Sequence, residues 1–152
     1  MKIAIIAPTE IPARRANTLQ VMKMAQALLN AGNAIHMLVP KTRPGLAQLW
    51  DELARHYGLQ PEHSFPIDWL FAHPRLRRYD YSLRAVSKAR HWEADLIYTR
   101  LPQAAALAAT LGIGTILEIH DLPQGLSGSW LFRRFLRSRG ARRLVVITRA
   151  LA

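Results

Sequence analysis

GTILEIHD, residues 114–121, is an apolar strand of Thr115, Ile116, Leu117 and Ile119 that runs out in three polar side chains, Glu118, His120 and Asp121. In an open α/β sheet the ligand crevice lies outside the carboxyl ends of the strands. A strand that finishes in Glu, His and Asp therefore points to a site. Glu118 and His120 are two apart in a structure of period two, so both project to one side and Ile119 to the other.

Outward from this stretch, short apolar runs alternate with amphipathic ones along the whole chain. Strands are expected at 2–7, 34–39, 64–67, 95–99, 114–119 and 143–147, bounded by turn residues. Helices are expected at 17–31, 45–57, 75–92, 102–111 and 128–139. The first has Leu19, Met22, Ala25 and Leu29 on one face, Asn17 and Gln20 as a capping pair, and Gly32 as its stop. Strict strand–helix alternation implies an α/β, three-layer, Rossmann-like domain: a mostly parallel sheet with helices on both faces and right-handed crossovers.

The chain has 152 residues, half of them apolar, which suits a single domain with its own core. There is no cysteine, so disulfides, thiolate metal sites and a cysteine nucleophile are excluded, and a reducing cytoplasm is compatible. The opening MKIAIIAP reads as a strand rather than a secretory h-region, and no stretch is long and apolar enough to span a bilayer. A formal charge of +11 favours anionic partners: nucleotides, phosphates, lipid headgroups or an acidic protein.

The first loop, residues 8–16, narrows the fold's function. No glycine precedes Gly32, and the second strand ends in Val39, Pro40 and Lys41 without an acidic residue for a ribose hydroxyl, which disfavours a dinucleotide site. No Gly-Lys-Ser/Thr sequence exists, which disfavours P-loop chemistry. The loop offers Arg14, Arg15, Asn17 and Thr18 ahead of a helix amino terminus, where free amides and the dipole attract anions. The alternatives are that Asn17 is only a cap and that the arginines are only solvated.

Taken together, MKIAIIAP, ANTLQVMKMAQALLNAG, DLIYTRLP, TILEIHD and RLVVITRALA resemble, in order and spacing, the amino-terminal domain of retaining glycosyltransferases of GT-B fold, the large family-four type that includes sucrose and phosphatidylinositol mannosyltransferases. The resemblance implies that residues 1–152 form one half of a GT-B fold. That half mainly holds the acceptor, and a carboxyl-terminal domain holding most of the nucleotide-sugar is expected beyond Ala152. VVITRALA, read as a strand running into a helix, fits a truncated chain. It also implies a catalytic role for His120, which matches a histidine facing the donor sugar, with no metal or cofactor beyond the nucleotide-sugar substrate. Glu118 would orient His120 or touch a sugar, the alternative being a pair with an arginine. Arg100 in YTRLP would bind an anionic group of donor or acceptor, or form a salt bridge. Asp121 would contact substrate or cap the turn before Leu122 and Pro123. Many relatives carry a glycine pair in the first loop; here ARRANT stands in its place, so Arg14 or Arg15 would supply charge where relatives supply amides. The family's cationic pair and Glu-x7-Glu motif belong to the second domain, so residues 1–152 alone are expected to be inactive.

Other chemistries find no support. There is no Asp-x-Asp pair and no His-Glu-x-x-His; the six histidines are scattered, and no Gly-x-Ser-x-Gly elbow exists. Two basic amphipathic segments add a second theme. In 75–92, Leu76, Tyr79, Leu83 and Val86 form one stripe and Arg77, Arg84 and Lys88 another; in 130–137, Leu131, Phe132, Phe135 and Leu136 oppose Arg133, Arg134 and Arg137. Either these lie on an anionic membrane, giving a peripheral position at its inner face and suiting a lipid-linked acceptor, or the apolar stripes are core faces. The contending functional reading is a non-catalytic Rossmann-like module for a nucleotide, polyanion or partner protein; nucleic-acid binding lacks a recognised motif.

Overall fold

Among the described residues, six strands form one all-parallel sheet in the order β3-β2-β1-β4-β5-β6. The computed structural model describes residues 1–41, 49–76, 78–121 and 124–146. The elements are β1 (Lys2–Ile6), α1 (Ala16–Asn30), β2 (Ala34–Lys41), α2 (Trp50–Tyr57), β3 (Ile67–Phe71), α3 (Asp80–His91), β4 (Leu96–Thr99), α4 (Pro102–Thr110), β5 (Gly114–Ile119), α5 (Gly125–Leu136) and β6 (Ala141–Val146). The expected three-layer α/β architecture is the one observed. β1 and β4 are neighbours, so the connections turn back in opposite directions from this pair, and the crevice at its carboxyl end is the switch point of the sheet.

Alternation along β1 feeds both layers. Ile3 and Ile5 pack beneath α1 and α2 with Val21, Met22 and Leu53, whereas Ala4 and Ile6 pack with Tyr81, Ala85 and Val86 of α3 and with Ala104 and Ala108 of α4. A third cluster joins Ala105 and Ala109 of α4 to Leu117, Ile119 and Phe135. Small side chains on α4 let it lie close to the sheet. The same closeness fixes Gly140, whose ideal Cβ would fall 2.3 Å from the Ile113 carbonyl oxygen.

Several boundaries differ from expectation, each for a local reason. The third strand is Ile67–Phe71 rather than 64–67: Phe65 is buried, and the Pro66 carbonyl accepts Met37 N–H at 2.9 Å just before the ladder begins. α1 begins at Ala16 with Arg15 as its N-cap and no side-chain cap, so the Asn17–Gln20 capping pair does not form. Thr18 Oγ1 donates instead to the carbonyls of Ala13 and Arg15, at 2.7 and 2.8 Å. Leu19 is exposed, and the buried face of α1 is Thr18, Val21, Met22, Ala25 and Gln26.

α3 starts at Asp80 rather than at residue 75, where the Asp80 carboxylate accepts the backbone N–H of His73 at 2.8 Å and of Tyr81 at 2.7 Å. α5 starts at Gly125 rather than 128 and ends at Leu136. The expected helical residues 45–48, Arg77, the turn at Leu122 and Pro123, and Ile147 lie outside the described residues. Of the two apolar stripes, that of α5 is largely core, with Phe135 buried and Leu131 and Phe132 packed beside it. In the other, Val86 is buried while Leu76, Tyr79 and Leu83 are exposed.

Candidate functional site at the carboxyl edge of the sheet

The first loop leaves β1 at the switch point and is tied down by aromatic side chains from three elements. Tyr81 of α3, fully buried, points its hydroxyl at the carbonyls of Ala7 and Leu38, at 2.9 and 2.6 Å. Tyr57 of α2 accepts Ala13 N–H at 2.8 Å, and Trp69 of β3 donates its indole N–H to the Ile11 carbonyl at 2.9 Å. Burial pushes the Tyr81 phenol well above its ordinary pKa, because a phenolate there would lose its water. These anchors hold the loop against the sheet and leave a cleft of about 790 Å³ beside it. Residues after β1, Pro40 of β2, the start of α4 and the start of α5 form its walls.

Next to the cleft, β4 and β5 present side chains of one parity toward the α1 side. Glu118 is 4% exposed and holds three partners. Arg100 Nη2 lies 2.7 Å and His120 Nε2 2.8 Å from its Oε1, and the Tyr98 hydroxyl donates to its Oε2. One carboxylate thus both pairs with the arginine and hydrogen-bonds the histidine. The expectation that Glu118 and His120 share a side holds as well. The His120 side chain is 40% exposed and lines a recess with Asn17, Arg100, Pro102 and Asp121.

Arg100 borders both this recess and the main cleft. Its side chain is 8% exposed, and burial lowers its pKa from the ordinary value, although a guanidinium stays protonated. Apart from the ion pair, Nε and Nη1 have no hydrogen-bond partner among the described residues; neither do Asn17 Oδ1 nor Gln103 Oε1, which are buried along the same walls. Buried donors and acceptors without partners cost stability, and polar groups entering the cleft could satisfy these. Arg donors and amide acceptors together match hydroxyl groups, which both donate and accept.

The other expected contact residues divide. Arg15 and Asn17 line the cleft at the amino end of α1. Arg14 is exposed and not part of the cleft wall, and the Thr18 hydroxyl is spent on backbone carbonyls. Asp121 is exposed on the recess wall. Among the described residues no cluster of three or more His, Asp or Glu is placed to hold a metal ion.

Sequence reasoning missed Tyr98, Gln103 and Tyr81. Tyr98 of β4 shares the parity of Arg100, the residue just beyond that strand, a signal that was readable. Gln103 follows Pro102 at the first turn of α4, directly beyond the strand end, where polar side chains reach a crevice.

The arrangement defines a class: a Rossmann-like α/β module with a cleft at its switch point and a carboxylate-held histidine on the rim. The Glycosyltransferase Family 4 model matches residues 19–152, and the chain belongs to that family. No significant match to a curated protein was found. As a family-four glycosyltransferase module it has a sugar donor and an acceptor as substrates in general terms.

Proposed function

We propose that the chain is the acceptor-side, amino-terminal half of a metal-independent, retaining glycosyltransferase that moves a sugar from a nucleotide-sugar to a glycan or lipid-linked acceptor. The supporting observation is His120, held at 2.8 Å by the buried Glu118 on the edge of a cleft whose walls carry unpartnered Arg100, Asn17 and Gln103 atoms. With Nε2 donating to Glu118, a neutral imidazole keeps Nδ1 as an acceptor for one sugar hydroxyl, which fixes the sugar relative to the incoming nucleophile. Arg15 and the amino end of α1 would supply positive potential for an anionic part of the donor. The acceptor hydroxyls would pair with Arg100, Gln103 and Asn17. In this reading the cations that take up charge on the departing diphosphate belong to a second domain, and losing one such contact costs about 100 to 1000-fold in turnover. Residues 1–152 alone are therefore expected to transfer no sugar.

The test is transfer from a panel of nucleotide-hexoses by the product of the entire reading frame, with and without chelator, compared with His120→Ala and with residues 1–152 alone. Turnover that survives chelation, falls sharply in His120→Ala without a change in melting, and is absent from residues 1–152 supports the proposal. Equal turnover in His120→Ala, or a stop codon after Ala152 with no activity, favours the binding-module reading.

A further inference from the structure

The two helical layers differ in charge and in what they leave uncovered. In α1 and α2 the acids Asp51 and Glu52 offset the bases Lys23 and Arg55. Across α3, α4 and α5 the bases Arg84, Lys88, Arg90, Arg133 and Arg134 face a single acid, Asp80. Asp80 is committed to two backbone N–H groups, and Lys88 pairs with Asp68 of β3 at 3.2 Å. The remaining cations of this layer have no acidic partner among the described residues.

α5 concentrates the asymmetry. At 100° per residue, Phe135 with flanking Leu131 and Phe132 points to the sheet, and Leu126, Trp130, Arg133 and Arg137 fall on the opposite arc, with Arg134 at its edge. Leu126 is 95% and Trp130 64% exposed, an uncommon exposure for two large apolar side chains one turn apart. Arg133, Arg134 and Arg137 follow on the same surface, all exposed. Arg134 is steadied by Nε donating to Thr110 Oγ1 at 3.1 Å. No helix among the described residues is long and apolar enough to cross a membrane, so any membrane contact of such a helix would be interfacial.

We propose that the outer face of α5 docks this domain on an anionic phospholipid bilayer. Leu126 and Trp130 enter the boundary between headgroups and acyl chains, where an indole has both its apolar body and its N–H accommodated. Arg133, Arg134 and Arg137 meet the lipid phosphates. A nucleic acid would answer the arginines but leave an almost fully exposed leucine without a role. Gln124, Ser127 and Gly128, at the amino end of the same helix, line the cleft. Docking there would place the mouth of the cleft beside the bilayer, where a lipid-carried acceptor would be presented; that consequence rests on the transferase reading, and the docking does not.

The test is flotation of the 152-residue chain with vesicles of phosphatidylcholine alone and of equimolar phosphatidylcholine and phosphatidylglycerol, at low and high salt. Binding to the anionic vesicles only, weakened by salt, is expected, with each arginine removed lowering the partition coefficient about five-fold. The triple variant Arg133→Gln, Arg134→Gln, Arg137→Gln should lose on the order of 100-fold. Leu126→Ser with Trp130→Ser should also lose binding, while Lys23→Gln with Arg55→Gln on the opposite layer should bind as wild type, all four proteins melting alike. No binding to anionic vesicles, binding indifferent to lipid charge, or unaltered binding by the Leu126/Trp130 variant overturns the proposal. Displacement of the vesicles by duplex DNA with no dependence on Leu126 and Trp130 would assign the face to nucleic acid instead.

Discussion

Replacing Glu118 by Gln removes one negative charge from a position where three side chains converge. The carboxylate is 4% and its arginine partner 8% exposed, with 2.7 Å between Arg100 Nη2 and Glu118 Oε1. After the substitution the guanidinium stays charged and buried without a counter-charge. Breaking one side of such a buried pair costs about 3–5 kcal/mol, mostly from the stranded charge. For a domain of this size each kcal/mol moves Tm by about 2–4 °C, so a fall of roughly 6–20 °C is expected. Urea denaturation of residues 1–152, followed by far-UV circular dichroism, measures the loss directly. The companion variant Glu118→Leu with Arg100→Met, which removes both charges, should recover most of it. A Glu118→Gln protein within about 0.5 kcal/mol of wild type, the range of an uninvolved surface position, would refute the view that Glu118 is the charge partner of Arg100.

Three other substitutions follow from the packing. Tyr81→Phe strands the Ala7 carbonyl and should cost about 1–3 kcal/mol in urea denaturation. Because the buried phenol titrates above its unfolded value of about 10, the folded state holds its proton longer. Stability from Tyr81 is therefore full below that pH and declines as pH rises from there toward the folded pKa, a decline that Tyr81→Phe should lack. Gly140→Ala drives a methyl group into the Ile113 carbonyl and the Ala109 backbone, so a loss of about 1–3 kcal/mol or more is expected, and a melt unchanged from wild type would show that the α4–β6 approach is looser than described. Tyr57→Phe releases the Ala13 amide, so tryptic cleavage after Arg14 and Arg15 should speed up relative to cleavage elsewhere; equal rates would mean that the loop is held without it.

What could be read from the chain tracks how local the determining physics is. β5 is legible to the residue because an apolar run bounded by Gly114 and His120 has no competing pattern. The shared side of Glu118 and His120 follows from strand parity alone. By contrast, Asn17 looked like a cap, yet α1 starts one residue earlier with Thr18 bonding the loop carbonyls, a choice set by where Tyr57 and Trp69 pin the loop. The third strand slipped because its position depends on pairing with β2 rather than on its own pattern. Strand order, and with it the switch point between β1 and β4, depends on long-range pairing that no single segment encodes. For the same reason Arg100 could be placed at a strand end, but its convergence with Tyr98 on Glu118 could not be read.

The most direct measurement is a chemical-shift titration of isotope-labelled residues 1–152 with methyl glycosides of glucose, mannose and galactose, and separately with UDP-glucose and GDP-mannose. Shifts concentrated at the Arg100 Nε–H, the Asn17 and Gln103 side-chain amides and the His120 ring would establish the switch-point cleft as the sugar-binding site. Shifts clustered at another surface, such as the shallow hollow around His36 and Trp92, with the Arg100 Nε–H unmoved, would contradict it.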